Sequence, residues 1–117
     1  MTSKYKENIL YGLKQEKAIH TKLEGIYGKL ETTDYWSPID FKNENYMIEL
    51  KSRRIKHNQY KTLIFGKNKL NYFLENRTTN EKFIVIWRCL DGDYMWEYRD
   101  DCEYVSIDDL IHIKTKD

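Results

Sequence analysis

The chain has 117 residues, enough for one domain with a single hydrophobic core and too few for two. A third of the residues are charged, but 40% are hydrophobic and 15% aromatic, which excludes a disordered composition. The formal net charge of +1 excludes a uniformly basic or acidic protein, so partners must be read from where the charge lies.

The distribution is uneven. From Lys51 to Lys69 the chain carries Lys51, Arg53, Arg54, Lys56, His57, Lys61, Lys67 and Lys69 without one acid, whereas Asp91 to Asp109 is dominated by Asp and Glu. The basic segment is either a solvated loop and helix face or an electrostatic footprint for a polyanion. No secretory, membrane-spanning or lipidation pattern is read. Cys89 and Cys102 have no metal-ligand spacing and are expected as free thiols in a reducing, intracellular and cytoplasmic setting.

In chain order, residues 4–30 read as a helix, with Ile9, Leu13, Leu23, Tyr27 and Leu30 at 3–4 spacing. Glu16 and His20 fall on the same stripe, His20 as a helix-face histidine. "TTDYWS" is β-prone and turn-rich, and Pro38 opposes helix there. "PIDF" and "YMIELKS" read as two strands joined by a polar turn at 42–45. Alternation puts Ile39 and Phe41 on one side and Asp40 on the other. It also separates Tyr46, Ile48 and Leu50 from Met47, Glu49 and Lys51.

Residues 52–61 read as a basic connector, "TLIF" as a short apolar piece, and "KNKLNYFLENR" as a helix with Leu70, Phe73 and Leu74 inward. "KFIVIWRCL" is apolar on both faces, as in a covered central strand. Asp91-Gly92 signals a hairpin returning through "YMWEYR". Ser106 is positioned to cap a short final helix containing Leu110 and Ile111. The expected fold is α/β or α+β: one mixed sheet with flanking helices.

Charged side chains on buried strands call for a partner or a metal. Asp40 opposite Glu49-Leu50-Lys51 places two carboxylates on adjacent strands, a donor set suited to Mg²⁺, for which Mn²⁺ can substitute. The Leu50 carbonyl can add a ligand. Lys51, on the same face as Glu49, can orient or deprotonate a water, or stabilise charge on a phosphorane. Arg53, Arg54, Lys56 and Lys61 follow directly and can hold phosphates. Tyr60 and Phe65 can stack on bases, although core packing is the plainer account of both.

"SPID" followed by "IELK" resembles the PD-(D/E)xK nuclease superfamily, with the Pro-Asp pair relaxed to Pro38-Ile39-Asp40. Asp40-Phe41-Lys42 also matches the short Asp/Glu-x-Lys element, so the strand context carries the resemblance. It implies a restriction-endonuclease-like core, α-β-β-β-α-β, over about residues 5–90, with an added C-terminal strand. It also implies that Glu16, in "GLKQE", completes the metal site directly or through water. The activity implied is Mg²⁺-dependent hydrolysis of DNA by a homodimer of the Holliday junction resolvase type, acting on duplex, branched or nicked DNA. A small homing endonuclease of a selfish element, phage or virus is the second form. Two other classes stay open: a nucleic-acid-binding module that does not cut, and an unrelated α+β interaction protein.

Overall fold

A computed structural model describes residues 3–34 and 36–115. Tyr35, within the "TTDYWS" segment, lies outside the described residues, as do both chain ends. Helix α1 spans Lys4–Tyr27, capped by Ser3, whose hydroxyl accepts from the Lys6 N–H, and terminated at Gly28 with φ 87°. Strands β1 (Glu31–Thr32), β2 (Phe41–Lys42) and β3 (Tyr46–Ser52) form an antiparallel meander. The chain then crosses through β4 (Thr62–Gly66) and α2 (Lys67–Asn76) to β5 (Lys82–Cys89), which runs parallel to β3. β6 (Gly92–Glu97) returns antiparallel to β5. The resulting mixed sheet has the order β1-β2-β3-β5-β6.

The α+β class and the central position of β5 agree with the sequence. Phe83, Ile84, Val85, Ile86 and Trp87 are all buried. Their side chains divide between two clusters, one on each face of the sheet. α1 covers one face through Ile19 and Leu23, against Phe41, Ile48, Leu50, Ile84 and Ile86. Each such fully buried side chain contributes roughly 1.5–3 kcal/mol. α2 covers the other face through Leu70 and Phe73, against Met47, Phe83 and Val85.

Several expectations need correction. Residues 105–114 form no helix. β7 (Val105–Ile107) and β8 (Leu110–Lys114) pair as a hairpin around Asp108 and Asp109, whose φ angles of 50° and 62° both lie in the left-handed region. Two positive-φ residues in a two-residue loop are what a tight hairpin of twisted strands demands. β8 also pairs with β4, giving a second sheet of order β4-β8-β7 in place of the single sheet expected. "TLIF" is therefore a strand, and Leu63, Phe65 and Ile111 bring this sheet into the α2-side core.

Ile39 and Phe41 do not share a face. Ile39 joins the α2-side cluster and Phe41 the α1-side cluster, because regular strand geometry begins only at Phe41. Leu74 is 38% exposed instead of inward. Tyr60 is exposed, while Phe65 is core. The expected stripe of α1 is only half used: Ile9 and Leu13 are exposed. A 24-residue helix is about 36 Å long, and the seven residues of β3 cover only about 23 Å, so its first turns overhang the sheet.

Candidate active site

The site lies where β2 and β3 part. Asp40 comes just before β2, with its N–H donating to the Ile48 carbonyl (3.1 Å). Its carboxylate then accepts from the Leu50 N–H at 2.8 Å, standing in for a backbone partner that β2 no longer supplies. A residue's N–H and C=O leave a strand on the same edge, so the Leu50 carbonyl faces the same gap as Asp40.

Glu49 is the single buried charged residue among those described, 2% exposed, and sits within hydrogen-bond reach of the Asp40 carboxyl. Its face follows from strand alternation: with Met47 and Lys51 it projects toward α2. There Oε2 meets two ammonium groups, Lys69 Nζ at 3.1 Å and Lys51 Nζ at 3.5 Å. This buried oxygen has charge partners but no hydrogen bond.

Burial, then the hydrogen bond to and negative charge of Asp40, push the Glu49 carboxyl up to about 8 against the opposing pull of Lys51 and Lys69. Glu49 therefore keeps its proton up to about neutrality. Glu16 is pushed up to about 7, first by burial and then by Asp40, with His20 pulling the other way. Asp40 is thus the common neighbour of Glu16 and Glu49.

Glu16, Asp40, Leu50, Lys51, Arg53 and Arg54 line one cleft of about 450 Å³, closed on the helix side by Asn8, Tyr11 and Gly12. Glu49 is not among the residues that line this cleft. The three acids do not close into a single cage: among the described residues, no group of three or more His, Cys, Asp or Glu side chains could hold a metal ion. The close unit is the Asp40–Glu49 pair. Lys56 and Lys61 do not line the cleft, and both are exposed. The Arg54 guanidinium lies 4.0 Å over the Tyr11 ring, tying the connector to the overhanging end of α1.

His20 serves the fold. Its ring packs against Phe41 at 5.1 Å, and Nε2 donates to the Leu30 carbonyl at 2.9 Å. Lys69 is the residue that sequence reasoning passed over. It was visible only as one of many cations, because its approach to Glu49 depends on how the crossover lays α2 on the sheet.

The donors are oxygen atoms, the type a hard divalent cation prefers, although the carboxylates do not close around one point: they are the Asp40 and Glu49 carboxyls, the Leu50 carbonyl on the same edge as Asp40, and a buried Glu49 oxygen that lacks a hydrogen bond. Cys89 and Cys102 are free thiols, and no described helix is long and apolar enough to cross a membrane. Comparison with protein-family models, curated proteins and solved structures finds no match for this chain.

Proposed function

We propose that the protein is a metal-dependent nuclease of the PD-(D/E)xK type that hydrolyses phosphodiester bonds in DNA. The observation that carries this reading is the carboxyl pair Asp40–Glu49 on diverging strands, with Lys51 on the same face as Glu49 and at the cleft. The element order supports it in part: a helix, a three-stranded meander bearing the acids, and a crossover helix leading to a strand parallel to β3, with β4 inserted between meander and helix where the expected α-β-β-β-α-β order has no strand.

Asp40, Glu49 and the Leu50 carbonyl would hold Mg²⁺, or Mn²⁺ in its place, with Glu16 contributing through water. When bound, the ion supplies charge neutralisation at the phosphate and a lowered pKa for water. The protein's own residues do the rest. Lys51 orients a water or stabilises developing negative charge, while Arg53 and Arg54 hold the flanking phosphates in register. Glu49, raised to about 8 by burial and by Asp40, must lose its proton before it can hold a cation, so activity rises with pH toward about 8. Action as a homodimer, with two clefts serving two strands, belongs to the same proposal.

One observation favours a second reading, binding without cleavage. Lys69 and Lys51 already place positive charge on Glu49 Oε2, where a cation would otherwise sit. Incubating the protein with supercoiled plasmid, linear duplex, single strand and a four-way junction, with Mg²⁺ and with EDTA, tests both. Metal-dependent nicking abolished by Glu49→Gln supports the nuclease. Retention on DNA with no cleavage at any pH between 6 and 9 selects the second reading.

A further inference from the structure

Lys51 at the cleft, Trp87 and Tyr94 form one cross-strand row over β3, β5 and β6. Neighbouring strands lie about 4.8 Å apart, so the Tyr94 backbone is roughly 10 Å from that of Lys51. Beside Tyr94 opens a cavity of about 330 Å³, lined by His57, Trp87, Tyr94, Trp96, Ile113 and Lys114. The His57 ring stacks on Tyr94 at 4.2 Å with a 17° tilt. Asp91 clamps both: its carboxylate takes the His57 Nδ1 at 2.6 Å, the His57 backbone N–H at 3.0 Å and the Tyr94 hydroxyl at 3.3 Å.

The same connector serves cleft and cavity. Arg53 and Arg54 line the first and His57 the second. Three residues of chain span at most about 11 Å, near three nucleotides of stacked strand. No acid occurs between Lys51 and Lys69, so a phosphate backbone following this segment meets no like charge from it.

We propose that this cavity receives an unpaired nucleobase from the strand held at Arg53 and Arg54. The substrate is then a single strand, or the single-stranded arm of a branched nucleic acid. The proposal rests on the nucleic-acid reading of the cleft. The His57–Tyr94 stack, clamped by Asp91, and Trp96 in the cavity wall give a flat base an aromatic surface on which to stack without ordering any side chain on binding. The Lys114 ammonium supplies a cation for the adjoining phosphate. An aliphatic peptide side chain would match the apolar walls and leave that charge and the basic connector unused.

The test is fluorescence anisotropy in EDTA with labelled dT12 and with an abasic strand of equal length. In a Trp36→Phe background, which removes the exposed tryptophan outside the cavity, tryptophan emission reports the cavity through Trp87 and Trp96. The expected result is at least tenfold tighter binding of dT12, with quenching that the abasic strand does not produce. Tyr94→Leu and His57→Ala should each shrink that preference to within about twofold. His57 sits in the connector, so its variant keeps the test usable should Tyr94→Leu fail to fold. Equal binding of the two strands, or an unchanged preference in folded variants, overturns the proposal. Cleavage in Mg²⁺ is measured separately. Cleavage without base preference removes the cavity and leaves the nuclease, and base preference without cleavage does the reverse.

Discussion

The Lys69 ammonium, in the first turn of α2, approaches Glu49 Oε2 to 3.1 Å, closer than Lys51 on Glu49's own strand at 3.5 Å. The most buried acid among the described residues is therefore held between its strand and the crossover helix. Its charge state bears on the stability of the fold.

Stability without metal should fall as pH rises. Glu49 and Glu16 have folded values of about 8 and about 7, against 4.5 for each when unperturbed. Between pH 4.5 and 8 the folded chain therefore binds more protons than the unfolded chain, and the slope of unfolding free energy with pH is negative. Its size is on the order of 1 kcal/mol per pH unit where Glu49 titrates. Urea midpoints measured from pH 5 to pH 8.5 should decline, and Glu49→Gln should flatten most of that decline.

Above pH 8, where Glu49 is ionised, removing Lys69 should weaken the apo protein by about 1–3 kcal/mol, because it strips the nearer counter-charge from a buried carboxylate. Lys69→Met combined with Glu49→Gln should recover most of this loss. A double-mutant cycle on urea midpoints reads the coupling, and additive effects would show that the 3.1 Å approach contributes nothing.

Divalent cations should displace protons. Titrating Mg²⁺ or Mn²⁺ at pH 7 in buffers of different ionisation enthalpy should show proton release, with apparent affinity growing as pH climbs toward 8. Asp40→Asn and Glu49→Gln should each abolish the signal. Glu16→Gln should only weaken it, since Glu16 reaches Glu49's neighbour and not Glu49 itself.

Lys51→Ala should lower cleavage by about 10²-fold or more with little change in DNA affinity. Arg53→Ala and Arg54→Ala should instead weaken binding to all sequences alike, each reducing the slope of log affinity against log salt by about 1. A filter-binding series across salt concentrations separates the two behaviours.

The 108–109 turn gives a sharp check on the fold. Asp108→Asn with Asp109→Gly should stabilise the protein by about 0.5–1 kcal/mol, since Asn-Gly relieves the cost of two positive φ angles. In a helix the same Gly would destabilise by about 1 kcal/mol. Thermal melts give the sign directly.

What the sequence disclosed follows from how local each signal is. The alternation of Tyr46 to Ser52 and the apolar run of Lys82 to Cys89 are complete within single strands, so both faces of β3 and the central place of β5 were legible. Asp40 beside Leu50 followed from the short turn between their strands. The second sheet was not legible, because "TLIF" and "LIHIK" are short apolar runs that do not declare a period, and Asp-Asp is a weak hairpin signal. Lys69 escaped for a related reason: its role depends on a helix packing angle that no spacing encodes. The overhang of α1 likewise depends on comparing helix length with sheet width, and periodicity reports neither.

The pairing of Thr62–Gly66 with Leu110–Lys114 bears on how the chain folds as it is synthesised. The meander, the crossover and the β5–β6 hairpin can assemble while later residues are still being added, but β4 has no neighbour until the last strand emerges from the ribosome. Until then β4 presents an unpaired strand edge, an opening for association between nascent copies. Pulse-labelling the stalled intermediate would locate that vulnerability in the crossover, well away from the carboxyl pair.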